Sequence, residues 1–345
     1  MLTGMSSLLV RSRSFVAFAA VGCFIVAGCS NSAKSKPHDT FRAVFITDTH
    51  IIGPQYVCCS ENSDVDNASI VHTVARLNAV RDTINAIQPP PQMVFVMGDV
   101  VHKAHLSTDP QWYRDNVNAY SIARDIFKTF TMPVYMTMGN HDYEVDCGDT
   151  TDSYDRQFSE DRFMEFFGQP PYQAVDYHGW KFVLIDSQRG DTFDLTSPHC
   201  NTGWASMGDT QMAWATAQLQ ENKPTFIMSH IFRLLYDSYE TGPYPGLPQL
   251  LDASPNVKGF LAGHSHHWVD ASAFNNDVFH WTMGGTRYDP NNFWLVEFDG
   301  TDGTYTVLDQ AKEIDNSTCA QTWSYNGTPA VVPNAVDTGD CTTQP

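Results

Sequence analysis

The sequence predicts an α/β fold, and three observations carry that expectation. Short β-rich runs recur along most of the chain. Helical patterns lie between the early runs. Gly, Pro, Asp or Asn bounds each run. Alternation of strand and helix argues for layered sheets and helices rather than an all-β domain. At ~150 residues per domain, the 345 residues suit two domains or one large α/β domain. Hydrophobic residues, at 42%, supply a sizeable core. Charged residues, at 17%, are too few for a disordered polyampholyte or a long coiled coil.

The N-terminal residues stand outside that pattern. Arg11 and Arg13 precede an apolar run from Phe15 to Ala27. The run is too short to span a bilayer as a helix but suits the core of a signal peptide. It ends in Val26-Ala27-Gly28-Cys29, which resembles the lipobox of bacterial lipoproteins. Residues 1–28 are therefore read as a lipoprotein signal peptide, Cys29 as the lipidated residue, and residues 29–40 as a tether. In an ordinary signal peptide cleaved nearby, Cys29 would be incidental. Both readings export the protein, and a lipid anchor would be its contact with the membrane. Loss of Arg11 and Arg13 takes the formal charge from −19 to −21. So acidic a chain has no basic stripe for nucleic acid.

The folded part is expected over residues 41–310. Strands are predicted at Phe41–Thr47, Met93–Met97, Val134–Met138, Lys181–Ile185, Thr225–Met228, Val257–Ala262, Val278–Met283, Phe293–Phe298 and Tyr305–Leu308. The last three follow one another closely and are expected to pair antiparallel. Apolar residues from Ile70 to Ile87 recur at helical steps and stop before Pro89-Pro90-Pro91. Further helices are expected over Trp112–Phe130, Ser153–Phe167 and Asp209–Leu219. Residues 311–345 lack periodicity and read as a polar tail or coil extension.

Export makes disulfides permissible. Setting aside Cys23 and Cys29, six cysteines remain: Cys58, Cys59, Cys147, Cys200, Cys319 and Cys341. Up to three bridges are expected, and the spacing does not choose among the pairings. Cys319 with Cys341 is the preferred single pair, since both lie in the tail with little else to hold it.

Five strand runs end in groups that bind metals. Asp48-Thr49-His50 follows the first, Gly98-Asp99 the second and Gly139-Asn140-His141-Asp142 the third. Ser229-His230 and Gly263-His264-Ser265-His266 follow two later ones. In open α/β sheets ligands bind at the carboxyl ends of strands, so five such ends would share one rim. Residues two apart, such as Asp48 and His50 or His264 and His266, project to one face. Glycine before three of these motifs permits tight turns. Imidazole together with carboxylate suits Mn, Fe or Zn, not Ca.

In this order, the five blocks resemble the calcineurin-like metallophosphoesterase superfamily over most of residues 41–309. The resemblance implies a four-layer α/β/β/α sandwich with mixed sheets and two divalent metal ions. One ion would be held by Asp48, His50, Asp99 and His266. The other would be held by Asp99, Asn140, His230 and His264, with Asp99 bridging. His141 would be the histidine that contacts substrate phosphate. Read from its position alone, Asp142 either orients that ring or raises its pKa, or its side chain simply caps the following turn. The implied reaction is hydrolysis of a small phosphorylated substrate, a mono- or diester, by a metal-activated hydroxide. The alternatives are a cyclic-nucleotide phosphodiesterase-like enzyme and a non-catalytic binding protein on the same fold. Purple acid phosphatases of this superfamily carry Asp-x-Asp and Gly-Asp-x-x-Tyr. His50 and His102 stand at those positions here, so no iron–tyrosinate chromophore is expected.

Other polar residues near the blocks carry weaker expectations. Arg233, three residues after His230, could contact phosphate or pair with surrounding acid. His102, His199 and His267 are read as surface residues or as partners of ligands.

Overall fold

The computed structural model describes residues 39–57, 65–145, 147, 156–200, 205–233, 236, 246–270, 278–308, 311–315, 320–325 and 328–332. All belong to the unit that begins at His38. The signal peptide, Cys29, Cys58, Cys59, Cys319 and Cys341 lie outside the described residues.

One sheet takes β1 (Thr40–Ile46), β2 (Met93–Met97) and β3 (Val134–Thr137) in parallel. The second is built from β4 (Gln173–Tyr177), β5 (Trp180–Ile185), β6 (Thr225–Ser229), β7 (Val257–Ala262), β8 (Val269–Asp270) and β9 (Phe279–Thr282). Its order is β4-β5-β6-β7-β9-β8, parallel from β5 to β9 with antiparallel edges. The first sheet is completed by β10 (Trp294–Asp299) and β11 (Thr304–Val307), giving the order β11-β10-β1-β2-β3.

Successive residues on each central strand enter different cores, as a side-chain period of two requires. Ala43 and Phe45 of β1 face the second sheet, where Phe182 and Leu184 of β5 meet them. Phe45 lies 6.0 Å from Phe226, and Phe95 lies 4.9 Å from Phe182, ring centre to ring centre. Val44 and Ile46 face the other way, onto Leu77, Val80 and Ile84 of the helix α2 (Thr73–Ala86), which follows α1 (Val65–Ile70). Val183 and Ile185 face outward from the second sheet onto Met212, Ala215 and Leu219. Three apolar layers therefore separate helix, sheet, sheet and helix. This is the expected four-layer sandwich.

The helix expected over Trp112–Phe130 is two helices, α3 (Pro110–Asp115) and α4 (Ala119–Phe127). Asn118 breaks it by offering the backbone a better partner than continued helix. Its side chain accepts from the Ser121 N–H at 3.1 Å, and the Ser121 hydroxyl accepts from the Asn118 N–H at 2.9 Å, a reciprocal capping box. The short α5 (Asn140–Tyr143) was not anticipated. Beyond it run α6 (Arg156–Phe167), α7 (Gly208–Leu219) and α8 (Leu247–Asp252).

Two expectations about the C-terminal strands are corrected. β9 does not pair with β10; it runs parallel beside β7 in the other sheet. The chain changes sheets because residues 283–293 pass across the strand ends. There the N–H groups of Thr286 and Arg287 donate to the carbonyls of Thr47 and Asp48. The tail is not coil throughout, because β12 (Ala311–Asp315), β13 (Ala320–Tyr325) and β14 (Thr328–Val332) form an antiparallel meander. Asn326-Gly327 between the last two strands is a hairpin signal in the sequence. Cys147 and Cys200, 53 residues apart, form a disulfide with a Cα–Cα separation of 5.6 Å.

Asn118→Ala removes the cap and leaves the N–H groups of α4 without it. The expected loss is about 1–2 kcal/mol, measured by urea unfolding. A loss indistinguishable from zero would show that the box does not hold the break.

Candidate metal centre

The rim of the sandwich is built from backbone that most side chains avoid. Asp48, His50, Asp99, His264 and His266 all have positive φ, between 45° and 68°. They are five of the eight non-glycine residues in that state among the described residues. Asp and His tolerate this region better than most residues, yet each such position costs on the order of 1–3 kcal/mol. The parallel strands packed behind them hold the turns in place. Two glycines have distinct reasons. Gly98 itself has φ +84°, which only glycine adopts without strain. Gly139 has an ordinary φ but no room, since a Cβ there would overlap the Asp99 carboxylate and come within 2.8 Å of the His230 ring.

These turns bring the predicted ligands together from both sheets. Asp48, His50, Asp99 and His266 each offer one donor atom, all within 4.8 Å of one another. His50 Nε2 lies 3.4 Å from Asp99 Oδ2 and 3.1 Å from His266 Nε2, which is 3.2 Å from Asp48 Oδ1. On the other side of Asp99, His230 Nε2 lies 3.3 Å from the same Oδ2 and 3.0 Å from Asn140 Oδ1. His264 Nδ1 completes that group, 2.9 Å from Asn140 Oδ1. The other oxygen of Asp99 accepts from the His141 N–H at 2.9 Å.

The donor chemistry suits cations. The Met97 carbonyl, 2.9 Å from His230 Nδ1, is an acceptor, so that nitrogen carries the proton. Nε2 faces two further oxygens, Asp99 Oδ2 and Asn140 Oδ1. Acceptors that converge in this way require a cation between them, either a proton or a metal. The charges agree. Burial opposes a charge on His230, but the Asp99 carboxylate overrides burial and lifts its pKa to about 9. Burial likewise opposes ionisation of Asp48, yet His266 and His50 hold it well below the usual carboxylate range. Burial, aided by His230, pushes His264 down to about 4 and leaves it neutral as a ligand should be.

The remaining predicted residues divide. His141 sits in the first turn of α5, with Nδ1–H donating to the His102 carbonyl at 2.8 Å and its ring centre 4.7 Å from that of His50. Asp142 does not orient that ring. It is fully buried, and its carboxylate accepts from the N–H groups of Gly139, Val100 and Val101 at 2.9, 3.1 and 2.9 Å. Burial and the Asp99 charge raise its pKa to about 7. Its work is to staple α5 to the turn that carries Asp99. Arg233 takes the alternative anticipated for it, since its guanidinium donates to Asp252 Oδ1 at 2.6 Å and to the Pro248 carbonyl at 3.3 Å, both on α8.

Some neighbours had no clear signal in the sequence. His102, read as a surface residue or a partner of a ligand, has Nδ1 3.1 Å from His50 Nδ1 and Nε2 3.1 Å from the Tyr56 hydroxyl. Its spacing from Asp99 was the one available hint. Arg287 and Tyr288 arrive from far along the chain. Tyr288 lies 5.3 Å from the His266 ring, with the Arg287 guanidinium 4.9 Å from its own ring centre.

The family model for calcineurin-like phosphoesterases matches residues 41–268. No curated protein matches the chain. Among solved structures, a dimetal phosphatase from Danio rerio is similar at 15% identity and TM-score 0.48, covering 85% of this chain and 98% of its own. A calcineurin-like phosphoesterase from Bacillus subtilis is similar at 12% identity and TM-score 0.46, covering 89% and 96%. A purple acid phosphatase from yellow lupin seeds is similar at 13% identity and TM-score 0.43, covering 79% and 53%. The family match takes in all five strand ends that carry the predicted ligands, and the chain therefore belongs to the calcineurin-like phosphoesterase family of hydrolases.

Proposed function

We propose that the protein hydrolyses phosphoesters of small substrates at a dinuclear metal centre. One divalent ion would be held by Asp48, His50, Asp99 and His266, and the second by Asp99, Asn140, His230 and His264. Mn, Fe or Zn fits this imidazole and carboxylate set. The observation that carries the reading is the position of Asp99 Oδ2, 3.4 Å from His50 Nε2 and 3.3 Å from His230 Nε2. One oxygen lies within reach of both groups, as a bridging ligand must. Bound divalent ions would polarise a phosphoryl oxygen and make water nucleophilic near neutral pH.

The chain's own residues set the rest. Two carboxylates against two divalent ions leave the site near +2, about enough to draw a phosphoryl group to an acidic protein. Asp142 fixes α5, so Asn140 and His141 keep their distance from Asp99. The carbonyl of His102 accepts the Nδ1 proton of His141 and fixes its ring. Its Nε2–H then donates to the leaving oxygen as a general acid, a role worth ~10²–10⁴-fold. Export by the N-terminal signal, with lipid on Cys29, would place this site where it meets extracellular phosphoesters. A panel of monoesters, diesters and cyclic nucleotides assayed with added Mn²⁺ tests the reading, and no hydrolysis of any would overturn it.

Asp99→Ala is expected to lower occupancy at both metal positions, whereas His50→Ala mainly weakens one. Elemental analysis of the dialysed proteins checks this, and two full equivalents in Asp99→Ala would contradict the bridge. His141→Ala should keep both metals yet lose ~10²–10⁴-fold in rate on an alkyl ester, with a smaller loss on a nitrophenyl ester whose leaving group needs little protonation. Equal losses on both at full metal content would sink the acid role. Cys29→Ser should abolish recovery in the membrane fraction, because a thioether-linked lipid needs the sulfur. A variant that still pellets with membranes and carries a fatty-acid probe would refute lipidation at Cys29.

A further inference from the structure

The ring of His102 lies outside both proposed ligand sets, yet it touches one of them. Its Nδ1 is 3.1 Å from Nδ1 of His50. His50 turns its other nitrogen, Nε2, toward Asp99 Oδ2 at 3.4 Å and His266 Nε2 at 3.1 Å. A nitrogen that binds a metal carries no proton, so the proton of His50 must sit on Nδ1. That proton has a partner only if His102 Nδ1 is an acceptor. The proton of His102 is then on Nε2, where it donates to the Tyr56 hydroxyl at 3.1 Å. One requirement at the metal position thus settles the tautomers of both rings. Packing agrees with the hydrogen bonds. The Tyr56 ring meets His102 edge-on at 5.0 Å, and the His141 ring stacks on it at 4.8 Å.

The geometry points to His102 as a positioning residue of the metal centre, acting through His50, with Tyr56 locking its ring. This rests on the dinuclear reading above and adds the group that orients one of its ligands. Partners of this kind commonly change metal affinity by about 10–100-fold. The effect is expected at one metal position only, because no ligand proposed solely for the second ion has a hydrogen bond to the His102 ring among those observed. The carbonyl of His102 also holds His141, but that bond comes from the backbone and survives substitution of the ring.

The test is Mn²⁺ binding to the full-length protein, followed by calorimetry and by elemental analysis after dialysis. The equivalent weakened in His50→Ala marks the position under study. His102→Leu is expected to weaken that equivalent by about 10–100-fold and leave the other unchanged. His102→Asn puts a carbonyl oxygen near the place of Nδ1 and should restore most of the affinity. Tyr56→Phe, which keeps the ring and loses the hydroxyl, should weaken the same equivalent by a smaller factor. Unchanged affinity in both His102→Leu and Tyr56→Phe overturns the proposal. So does an equal loss at both equivalents that Asn does not rescue, which is what a merely structural residue would produce. Should His102→Leu fail to fold, His102→Asn and Tyr56→Phe carry the comparison. A wild-type protein that binds no Mn²⁺ overturns the dinuclear reading and this proposal together. A wild type with two equivalents and insensitive variants overturns this proposal alone.

Discussion

Asp99 is the residue on which the rest of the site depends. It is a buried carboxylate at the end of a strand in one sheet, and it faces His230 from the other. An isolated buried charge would be too costly to keep, and removing its partners would leave it uncompensated. Here two imidazoles approach one of its oxygens while a backbone N–H satisfies the other. Its surroundings are equally determined. Gly98 supplies the turn before it, and the lack of a side chain at Gly139 gives the carboxylate room. Asp142 ties the turn after Asp99 to α5. A change at any of these positions moves Asp99, and with it the ligands on both sides.

The two sheets reach that point because an aromatic core spaces them. Phe45, Phe95, Phe182, Phe226 and Phe298 stack and cross between the sheets. Packed interiors transmit small displacements rather than absorbing them. A core residue such as Phe226 therefore bears on how far His230 stands from Asp99, although it touches no ligand. The strained backbone at the five rim positions belongs to the same account. Strain at a functional site persists where the structure behind it over-determines the conformation. Here the structure behind it is a set of parallel strands with apolar packing on both faces.

The site is also asymmetric in its support. His230 is oriented by a backbone carbonyl, at Met97. His50 meets a side chain, His102, whose own partner is Tyr56 from the loop after β1. Backbone support does not change with substitution, whereas side-chain support does. The His50 side of the cluster is therefore the one more open to adjustment by substitution.

Much of this was legible in the sequence. A strand of alternating or continuous apolar residues announces itself locally, and so do the Asp, His and Asn that follow it. Hence the polar groups that end the strands, their order and the central strands could all be read directly. Where local signals compete, only the folded chain decides. Asn118 ends one helix and starts another because its capping bonds outweigh a helical period that runs through it. β9 joins the second sheet because the segment after it is hydrogen-bonded across the strand ends. Side-chain partnership across the molecule was beyond reach for a further reason. Asp142 follows His141 in sequence, yet its carboxylate is spent on three backbone N–H groups, and Arg233 is spent on α8. His102 meets His50 from another strand end, and Arg287 and Tyr288 come from more than 200 positions farther along the chain than Asp48. By itself, the sequence determined which groups end the strands, since that depends on neighbours along the chain. The tertiary structure decided which of them share Asp99 and which hold the others in place, since those distances are set by packing between the sheets.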